Sequence, residues 1–319
     1  MNSPAAPATP AKDFLSILDL PAADLVRLLD LAARLKADRH LGRQAPTADA
    51  LAGFHVAMLF EKPSLRTRVT FEIAVRELGG WTMDVPGQFG LGLREPLADV
   101  ARNLERWVKA LVIRTFGHDR AAALAAAAPH LHVINALSDQ EHPCQALADM
   151  LTLREHLGSW RGRTLAFVGD GNNVVTSLVH AAPQLGVTVH VASPAGHDLP
   201  ARVVDEGIRV ARDGATVRLF RNPREAVAGA DAVYTDVWTS MGQEDQAGSR
   251  APAFLPYQVN RDLMAAAGPQ ALFMHCLPAH RNEEVTDEVF ESRASVVFDQ
   301  AENRLHTQKA LLLMLVGAP

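Results

Sequence analysis

The feature that most constrains the fold of this chain is a regular alternation of short apolar runs with longer segments of helical periodicity. Continuous apolar runs of this length, bounded by polar residues, predict strands that are buried on both faces. Helical segments between such strands predict βαβ units, and therefore an α/β fold with mainly parallel sheets flanked by helices. The predicted strands are residues 55–60, 110–115, 132–136, 164–168, 187–192, 216–220, 232–235 and 271–275.

The length of 319 residues predicts two domains, because one hydrophobic core rarely grows this large. A long helix predicted at residues 143–156 is the candidate bridge between them. The last predicted helix, residues 303–315, would pack back onto the first half. We therefore expect residues 1–142 together with 303–319 to form one domain, and residues 148–300 to form the other. Further helices are predicted at residues 22–36 and 98–108 and in a segment that ends near Gly79 and Gly80.

Composition excludes several classes of protein. The net charge is −5 and both signs are spread along the chain, so no basic stripe predicts nucleic-acid binding. Two cysteines, Cys144 and Cys276, cannot form a disulfide framework and are typical of a reducing compartment. Residues 1–12 lack the pattern of a signal peptide, and the apolar stretch 310–316 is too short to cross a bilayer. We expect a cytoplasmic protein that is not bound to membranes.

Residues 60–68, Phe-Glu-Lys-Pro-Ser-Leu-Arg-Thr-Arg, lie where a strand should end and a helix should begin. Free backbone N–H groups and the helix dipole favour an anion at such a junction. Ser64 and Thr67 add hydroxyl donors, and Arg66 adds a planar fork that suits phosphate oxygens. The segment predicts a phosphate site; the alternative is a capped helix with surface arginines.

Other polar residues follow predicted strands or begin predicted helices. Arg114 ends a buried strand, where ligands collect in α/β folds, although a surface arginine would occupy the same position. His142 and Gln145 stand three residues apart at a helix start and project to one side. Without further information this pair would be interpreted as helix capping.

The second half contains a glycine-rich segment, residues 167–174, that invites a dinucleotide interpretation. The pattern is incomplete, since Val174 stands where a third glycine or alanine belongs and no acidic residue closes the next strand. The asparagines Asn172 and Asn173 are alternatively helix caps. Asp236 and Cys276 also follow predicted strands, and a single cysteine is usually a small buried hydrophobe.

Taken in order, these segments resemble motifs of the aspartate and ornithine carbamoyltransferases, from about Asp13 onward. Lys-Pro-Ser-Leu-Arg-Thr-Arg resembles the family's Ser-Thr-Arg-Thr-Arg, with Leu65 in place of threonine. The chain also contains counterparts of His-Pro-x-Gln, Gly-Asp-Gly-Asn-Asn, Asp-x-x-x-Ser-Met-Gly, His-Cys-Leu-Pro and Ala-Glu-Asn-Arg. The resemblance implies transfer of a carbamoyl group from carbamoyl phosphate to ornithine, without a metal or organic cofactor, in a homotrimer or a multiple of trimers.

The resemblance also implies roles for individual residues. Carbamoyl phosphate would be bound by Ser64, the Leu65 N–H, Arg66, Thr67, Gln88, Arg114, His142, Gln145, Cys276, the Leu277 carbonyl and Arg304. The catalytic residues among them would be Arg66, Thr67, Arg114, His142 and Cys276. Ornithine would be bound by Asn173, Asp236, Ser240 and Met241. From the sequence alone, Arg304 would be interpreted as an arginine at a helix start.

Three alternatives remain open at this stage. Leu65 and the unusual loop at residues 88–95 favour an N-acylornithine carbamoyltransferase. The intact motif that begins at Asp236 favours free ornithine, because acylation removes the ammonium group that this carboxylate would pair with. A nucleotide-dependent oxidoreductase would require cofactor binding that the glycine pattern does not support. A non-catalytic paralogue acting as a binding protein is possible for any fold.

Overall fold

The computed structural model describes residues 11–86, 94–239 and 247–317, which form two parallel β-sheets flanked by helices. Parallel strands need long crossover connections, and helices supply them here. The predicted fold class is confirmed. The first half contains, in chain order, α1 (Ala22–Ala37), β1 (His55–Phe60), α2 (Leu65–Glu77), β2 (Trp81–Pro86), α3 (Leu97–Trp107), β3 (Ala110–Arg114), α4 (His118–Ala127), β4 (His132–Leu137) and α5 (Pro143–Leu157).

The first sheet has the order β2-β1-β3-β4, with every strand pair parallel. Its edge strand β2 was not predicted from the sequence. The strand alternates Trp81, Met83 and Val85 with Thr82 and Asp84, so it lacks the continuous apolar run that marks a central strand. An edge strand is partly exposed to solvent and tolerates such alternation.

The second sheet has the order β7-β6-β5-β8-β9 and is also fully parallel. Strands β6 and β7 lie on one side of β5, and β8 and β9 lie on the other, so the strand order reverses at β5. In α/β sheets, ligand crevices form at such a reversal. Its elements are β5 (Thr164–Val168), α6 (Asn173–Ala181), β6 (Thr188–Ala192), α7 (Ala201–Val210), β7 (Val217–Phe220), α8 (Pro223–Val227), β8 (Ala232–Thr235), α9 (Ala247–Phe254), α10 (Arg261–Ala267), β9 (Leu272–His275), α11 (Asp287–Phe290) and α12 (Val297–Leu315).

Helices α5 and α12 lie in the middle of the molecule and are unusually buried. Every residue of α5 from Pro143 to Leu153 is buried, and so is every residue of α12 from Asn303 to Leu312. Helix α12 packs against α1, α2, α5 and β9, so the end of the chain contacts both halves. Polar side chains on these two helices are therefore withdrawn from water and positioned by the surrounding core.

Helix α12 begins at Val297, earlier than the predicted start at residue 303. Arg304 therefore lies well inside the helix, and its interpretation as a helix-start arginine was wrong. The early turns were missed because Asp299 and Gln300 interrupt the apolar pattern. Among the described residues, no helix combines the length and apolarity needed to cross a bilayer.

Gly207 in α7 packs tightly against Val179 in α6. A Cβ atom there would lie 2.5 Å from Val179 Cγ1 and 2.9 Å from the Val179 carbonyl oxygen. We expect Gly207→Ala to lower the free energy of unfolding by about 1–2 kcal/mol, although alanine is the better helix former, because overpacking costs about 1–3 kcal/mol.

The matched control is Gly248→Ala in α9, where an added Cβ meets nothing within 4 Å. This variant should be neutral or stabilised by up to about 1 kcal/mol. Denaturant unfolding at one fixed protein concentration compares the two variants. Equal stability of both variants would contradict the packing assigned to Gly207.

Candidate active site

The junction between β1 and α2 directs Ser64 toward Arg114. Ser64 is the N-cap residue of α2, but its side chain makes no capping hydrogen bond. Instead, its hydroxyl accepts a hydrogen bond of 3.1 Å from Arg114 Nη1, at the end of β3. Strands β1 and β3 are neighbours, which brings the two residues together. The geometry therefore favours the anion-site interpretation of this segment over a simple helix cap.

Arg304 reaches the same region from α12. Its Nη2 donates a hydrogen bond to Thr67 Oγ1 at 2.5 Å, and its Nη1 donates to Gln145 Oε1 at 3.1 Å. The side chain is 3% exposed. Residues from the first, middle and last parts of the chain thus meet in one pocket, although Arg304 is far from Thr67 in sequence.

The pocket is strongly positive. Burial lowers the pKa of Arg114 to about 10, and the nearby Arg304 contributes to this shift. Burial also lowers the pKa of Arg304, with a smaller contribution from Arg66. Within the described part of the chain, the Arg66 guanidinium makes no hydrogen bond or ion pair. Arg304 lies close enough to both Arg114 and Arg66 for the guanidinium charges to interact, and such a cluster of positive charge suits an anion such as phosphate.

His142 enters the pocket as a neutral imidazole. Burial lowers its pKa well below 6.5, and Arg304 and Arg114 lower it further. Its backbone N–H donates to Ser177 Oγ at 2.9 Å, which anchors the start of α5. Its Nδ1 atom is buried and has no hydrogen-bond partner among the described residues. A neutral imidazole keeps one N–H, so it can donate a hydrogen bond to a carbonyl oxygen.

A second polar cluster lies at the ends of β8 and β9. Cys276 Sγ donates to Asp236 Oδ1 at 2.9 Å, and Asn172 Nδ2 donates to Asp236 Oδ2 at 2.7 Å. Burial raises the pKa of the Cys276 thiol well above 9, and the Asp236 carboxylate raises it further. Cys276 therefore remains a thiol and is not activated as a covalent nucleophile, since the thiolate is the nucleophilic form.

The two consecutive asparagines have different roles. Asn172 caps α6, accepting from the backbone N–H groups of Val174 and Val175, and also holds Asp236. Asn173, the residue expected to bind ornithine, donates to the Ser138 carbonyl at 2.6 Å. Sequence reasoning missed the link from Asn172 to Asp236. The cap position itself was the available signal, since it places the asparagine amide just after the carboxyl end of β5.

The backbone of Leu277 is held by a buried pair that sequence reasoning also left out. Leu277 has a φ of 60° and precedes a cis peptide bond to Pro278. Its N–H donates to His275 Nδ1 at 2.9 Å. Because Nδ1 accepts, the proton of a neutral ring lies on Nε2, which is 3.1 Å from Glu284 Oε1. This chain of contacts stabilises the left-handed conformation of Leu277, which is unfavourable for a branched residue.

The same region offers metal-ligand atoms. Among the described residues, Asp236, His275 and Cys276 provide one potential ligand atom each, all within 4.8 Å of one another. Both His275 nitrogens, however, are engaged in the hydrogen bonds just described. Asp236 and Cys276 alone are fewer protein ligands than a zinc site ordinarily uses. The arrangement fits a hydrogen-bonded substrate site better than a metal centre.

The glycine-rich turn packs against another loop. A Cβ atom on Gly171 would lie 2.4 Å from backbone atoms of Asp198 and Leu199, and the Gly171 N–H donates to His197 O at 2.9 Å. Glycine is required here by close contact between two chain segments. The glycine pattern is thus explained without a nucleotide.

Arg250 braces the segment that follows β8. Its Nη2 forms an ion pair of 2.6 Å with Asp170 Oδ2, and its Nε donates to the Trp238 carbonyl at 2.8 Å. These contacts connect α9 to Trp238, which lies within the motif that begins at Asp236, and to Asp170 after β5. Of the predicted site residues, Gln88, Ser240 and Met241 lie outside the described residues.

Comparison with known proteins places this geometry in a family. The carbamoyl-P binding domain of aspartate/ornithine carbamoyltransferase matches residues 12–155. The Asp/Orn binding domain of the same family matches residues 161–315. Together the two matches cover both sheets and both polar clusters.

Individual relatives agree with this assignment. An ornithine carbamoyltransferase of Methanospirillum hungatei is 50% identical over 307 residues, which span 96% of this chain and 99% of the relative. One from Acidothermus cellulolyticus is 50% identical over 310 residues, or 96% and 97% of the two chains. The solved structure of ornithine carbamoyltransferase from Pyrococcus furiosus aligns with a TM-score of 0.92 at 44% identity, covering 97% and 98%. The chain belongs to the aspartate/ornithine carbamoyltransferase family.

Proposed function

We propose that this protein transfers the carbamoyl group of carbamoyl phosphate to the side-chain amine of L-ornithine, forming L-citrulline and phosphate. We assign the reaction to arginine biosynthesis in the cytoplasm. The observation that carries the proposal is the convergence of Arg114 and Arg304 on Ser64, Thr67 and Gln145. The names of the relatives, ornithine carbamoyltransferases, support ornithine as the acceptor.

Carbamoyl phosphate binds first in this proposal. Its phosphate lies at the N-terminus of α2, where backbone N–H groups and three arginines offset its two negative charges. The neutral His142 imidazole donates to the carbamoyl oxygen, and Gln145 and the Leu277 carbonyl accept from its NH2 group. The phosphate-binding groups are Ser64, the Leu65 N–H, Arg66, Thr67, Arg114, Arg304 and, from a neighbouring subunit, Gln88.

Ornithine then binds beside the second cluster. Asp236 pairs with its α-ammonium group, and Asn173, Ser240 and Met241 bind its α-carboxylate end. The carboxylate of Asp236 is already oriented by Asn172 and Cys276, which lowers the entropic cost of binding. Cys276 lies beside the reacting amine.

The chemical step requires a neutral amine. A free side-chain amine resembling lysine has a pKa of about 10.4, so it arrives mostly protonated at neutral pH. The positive charges of Arg114 and Arg304 favour its neutral form. Nitrogen attacks the carbamoyl carbon while Thr67, Arg114 and His142 stabilise the developing oxyanion. The bond from carbon to the bridging oxygen then breaks, and the departing phosphate takes the proton that the amine loses.

We further propose that residues 1–142 with 303–319 form the carbamoyl phosphate domain and that residues 148–300 form the ornithine domain.

We also propose that the protein is a homotrimer or a multiple of trimers. An exposed apolar surface around the edge strand β2 supports association of subunits. Leu65, at the start of α2, is 76% exposed, and Trp81 and Met83 on β2 are 66% and 47% exposed. Apolar groups this exposed are typical of subunit interfaces.

The decisive test of the function compares acceptors. Purified protein is incubated with carbamoyl phosphate and either L-ornithine or N-acetyl-L-ornithine, and carbamoylated product is quantified. We expect kcat/KM for ornithine to exceed that for N-acetylornithine at least 100-fold, because acylation removes the charge that Asp236 pairs with. Preference for N-acetylornithine would establish the acylated acceptor instead, and absence of any product would support a non-catalytic paralogue.

Arg66→Ala should lower kcat/KM for carbamoyl phosphate by a factor of about 100 or more, which corresponds to about 3 kcal/mol of lost transition-state stabilisation. The control is Arg76→Ala, which removes the same charge from the exposed end of α2. Steady-state citrulline assays compare both variants with the parent. Near-normal turnover by Arg66→Ala would remove Arg66 from the phosphate site.

Asp236→Asn should raise the KM for ornithine at least 30-fold, because the amide cannot replace an ion pair with the α-ammonium. Binding of carbamoyl phosphate, measured without ornithine, should change less than threefold. Asp213→Asn, which changes an exposed partner of Arg161, is the matched control. An equal loss of affinity for both substrates would contradict the assignment of Arg114 and Arg304 to carbamoyl phosphate and of Asp236 to ornithine.

A further inference from the structure

Asp149 lies one helical turn after Gln145 on α5 and is fully buried, with 0% of its surface exposed. Its Oδ1 accepts hydrogen bonds from Gln145 Nε2 at 2.8 Å and from Gln300 Nε2 at 2.9 Å. Its Oδ2 accepts from the Tyr234 hydroxyl at 3.2 Å. Burial raises the pKa of Asp149 to about 6, and the hydrogen bonds from Gln300, Gln145 and Tyr234 oppose this rise because they favour the carboxylate. The proposed mechanism does not use this residue.

The partners of Gln145 leave its amide only one orientation. A carboxylate only accepts hydrogen bonds, so the NH2 of Gln145 must face Asp149. A guanidinium only donates, so the oxygen of Gln145 must face Arg304, which lies 3.1 Å away. The reversed amide would oppose donor to donor at Arg304 and acceptor to acceptor at Asp149.

Gln300 is oriented in the same way. Its NH2 faces Asp149, and its Oε1 accepts from the backbone N–H of His275 at 2.9 Å. The buried carboxylate of Asp149 therefore fixes the orientation of two side-chain amides. The Gln145 amide lies beside Arg304, and the Gln300 amide lies beside the end of β9, which Cys276 follows. Unpaired groups at this depth would be costly, because each buried polar atom without a partner costs about 1–3 kcal/mol.

We propose that Asp149 is a positioning residue that makes Gln145 present only its carbonyl oxygen to the carbamoyl pocket, and thereby selects a ligand bearing NH2 rather than CH3 on its carbonyl carbon. The inference rests on the proposed carbamoyl phosphate site. An oxygen at this position accepts from a carbamoyl NH2, whereas a methyl group offers no donor. Acetyl phosphate, with the same charge and nearly the same shape, would leave the Gln145 oxygen with fewer donors.

The test uses two hydrolysis-resistant phosphonates, phosphonoacetamide and acetonylphosphonate, which differ only in NH2 against CH3. Their dissociation constants are measured by calorimetry at pH 7.5 without ornithine. The parent protein should bind phosphonoacetamide at least 10-fold more tightly than acetonylphosphonate. In Asp149→Leu this preference should fall below threefold, chiefly through weaker binding of phosphonoacetamide. Asp149→Asn should still prefer phosphonoacetamide at least fivefold, because its Oδ1 still accepts from Gln145 while its NH2 faces the Tyr234 oxygen.

Thr152→Val is the matched control in the same buried helix. Its hydroxyl accepts from Asn303 Nδ2 at 2.9 Å and contacts none of the proposed substrate groups, so the preference should be unchanged. Asp149→Ser replaces Asp149→Leu if the latter does not fold, as judged by circular dichroism. A hydroxyl both donates and accepts, so the serine variant also frees the Gln145 amide and should lower the preference at least threefold.

The inference is overturned if a folded Leu or Ser variant keeps the preference of the parent within twofold, or if the parent shows none. Citrulline formation is measured separately on the same samples. Parent protein that prefers phosphonoacetamide but makes no citrulline would disprove the proposed reaction and leave the role of Asp149 supported. Parent protein that makes citrulline without this preference would support the proposed reaction and overturn the role of Asp149.

Discussion

The structure depends on the burial of two guanidinium groups beside each other. Arg114 and Arg304 are 8% and 3% exposed, and the charge of Arg304 contributes to the lowered pKa of Arg114. Removing charges from water is costly unless hydrogen bonds and opposite charge compensate. Ser64, Thr67 and Gln145 supply neutral acceptors. The remaining positive potential suits an anion, so burial that is costly for folding leaves these guanidinium groups prepared for the phosphate that we propose as their ligand.

This arrangement is possible because polar residues of α5 and α12 are held by the hydrophobic core. Both helices are buried over most of their length, and α12 packs against elements of both halves. Their apolar residues anchor them, and the polar residues between those anchors have few rotamers available. The second cluster lies at the carboxyl ends of β5, β8 and β9 in one sheet, where Asn172 and Cys276 both contact Asp236. Preorganised groups of this kind need little rearrangement when charge develops during a reaction.

Sequence reasoning succeeded for central strands and for residues at strand ends. Continuous apolar runs predicted β1, β3 and β5, and sheet geometry then brought Arg114 and Ser64 together. It failed where the pattern was weaker. The edge strand β2 alternates polar and apolar residues, and the first turns of α12 are too polar to extend the predicted helix. Asn172 was overlooked because a cap residue can hold a second partner, which only the packing of β5 against β8 reveals.

The sequence by itself determined the fold class, the family and most of the chemical groups at the site, because periodicity and motif order are properties of neighbouring residues along the chain. Only the tertiary structure decided how those groups act. The neutral state of His142 and the protonated thiol of Cys276 follow from burial and from charges contributed by distant segments. The orientation of Gln145 follows from Asp149 and Arg304, one four residues away and the other on the last helix. Protonation and hydrogen-bond direction depend on distances through space, which residue order does not specify.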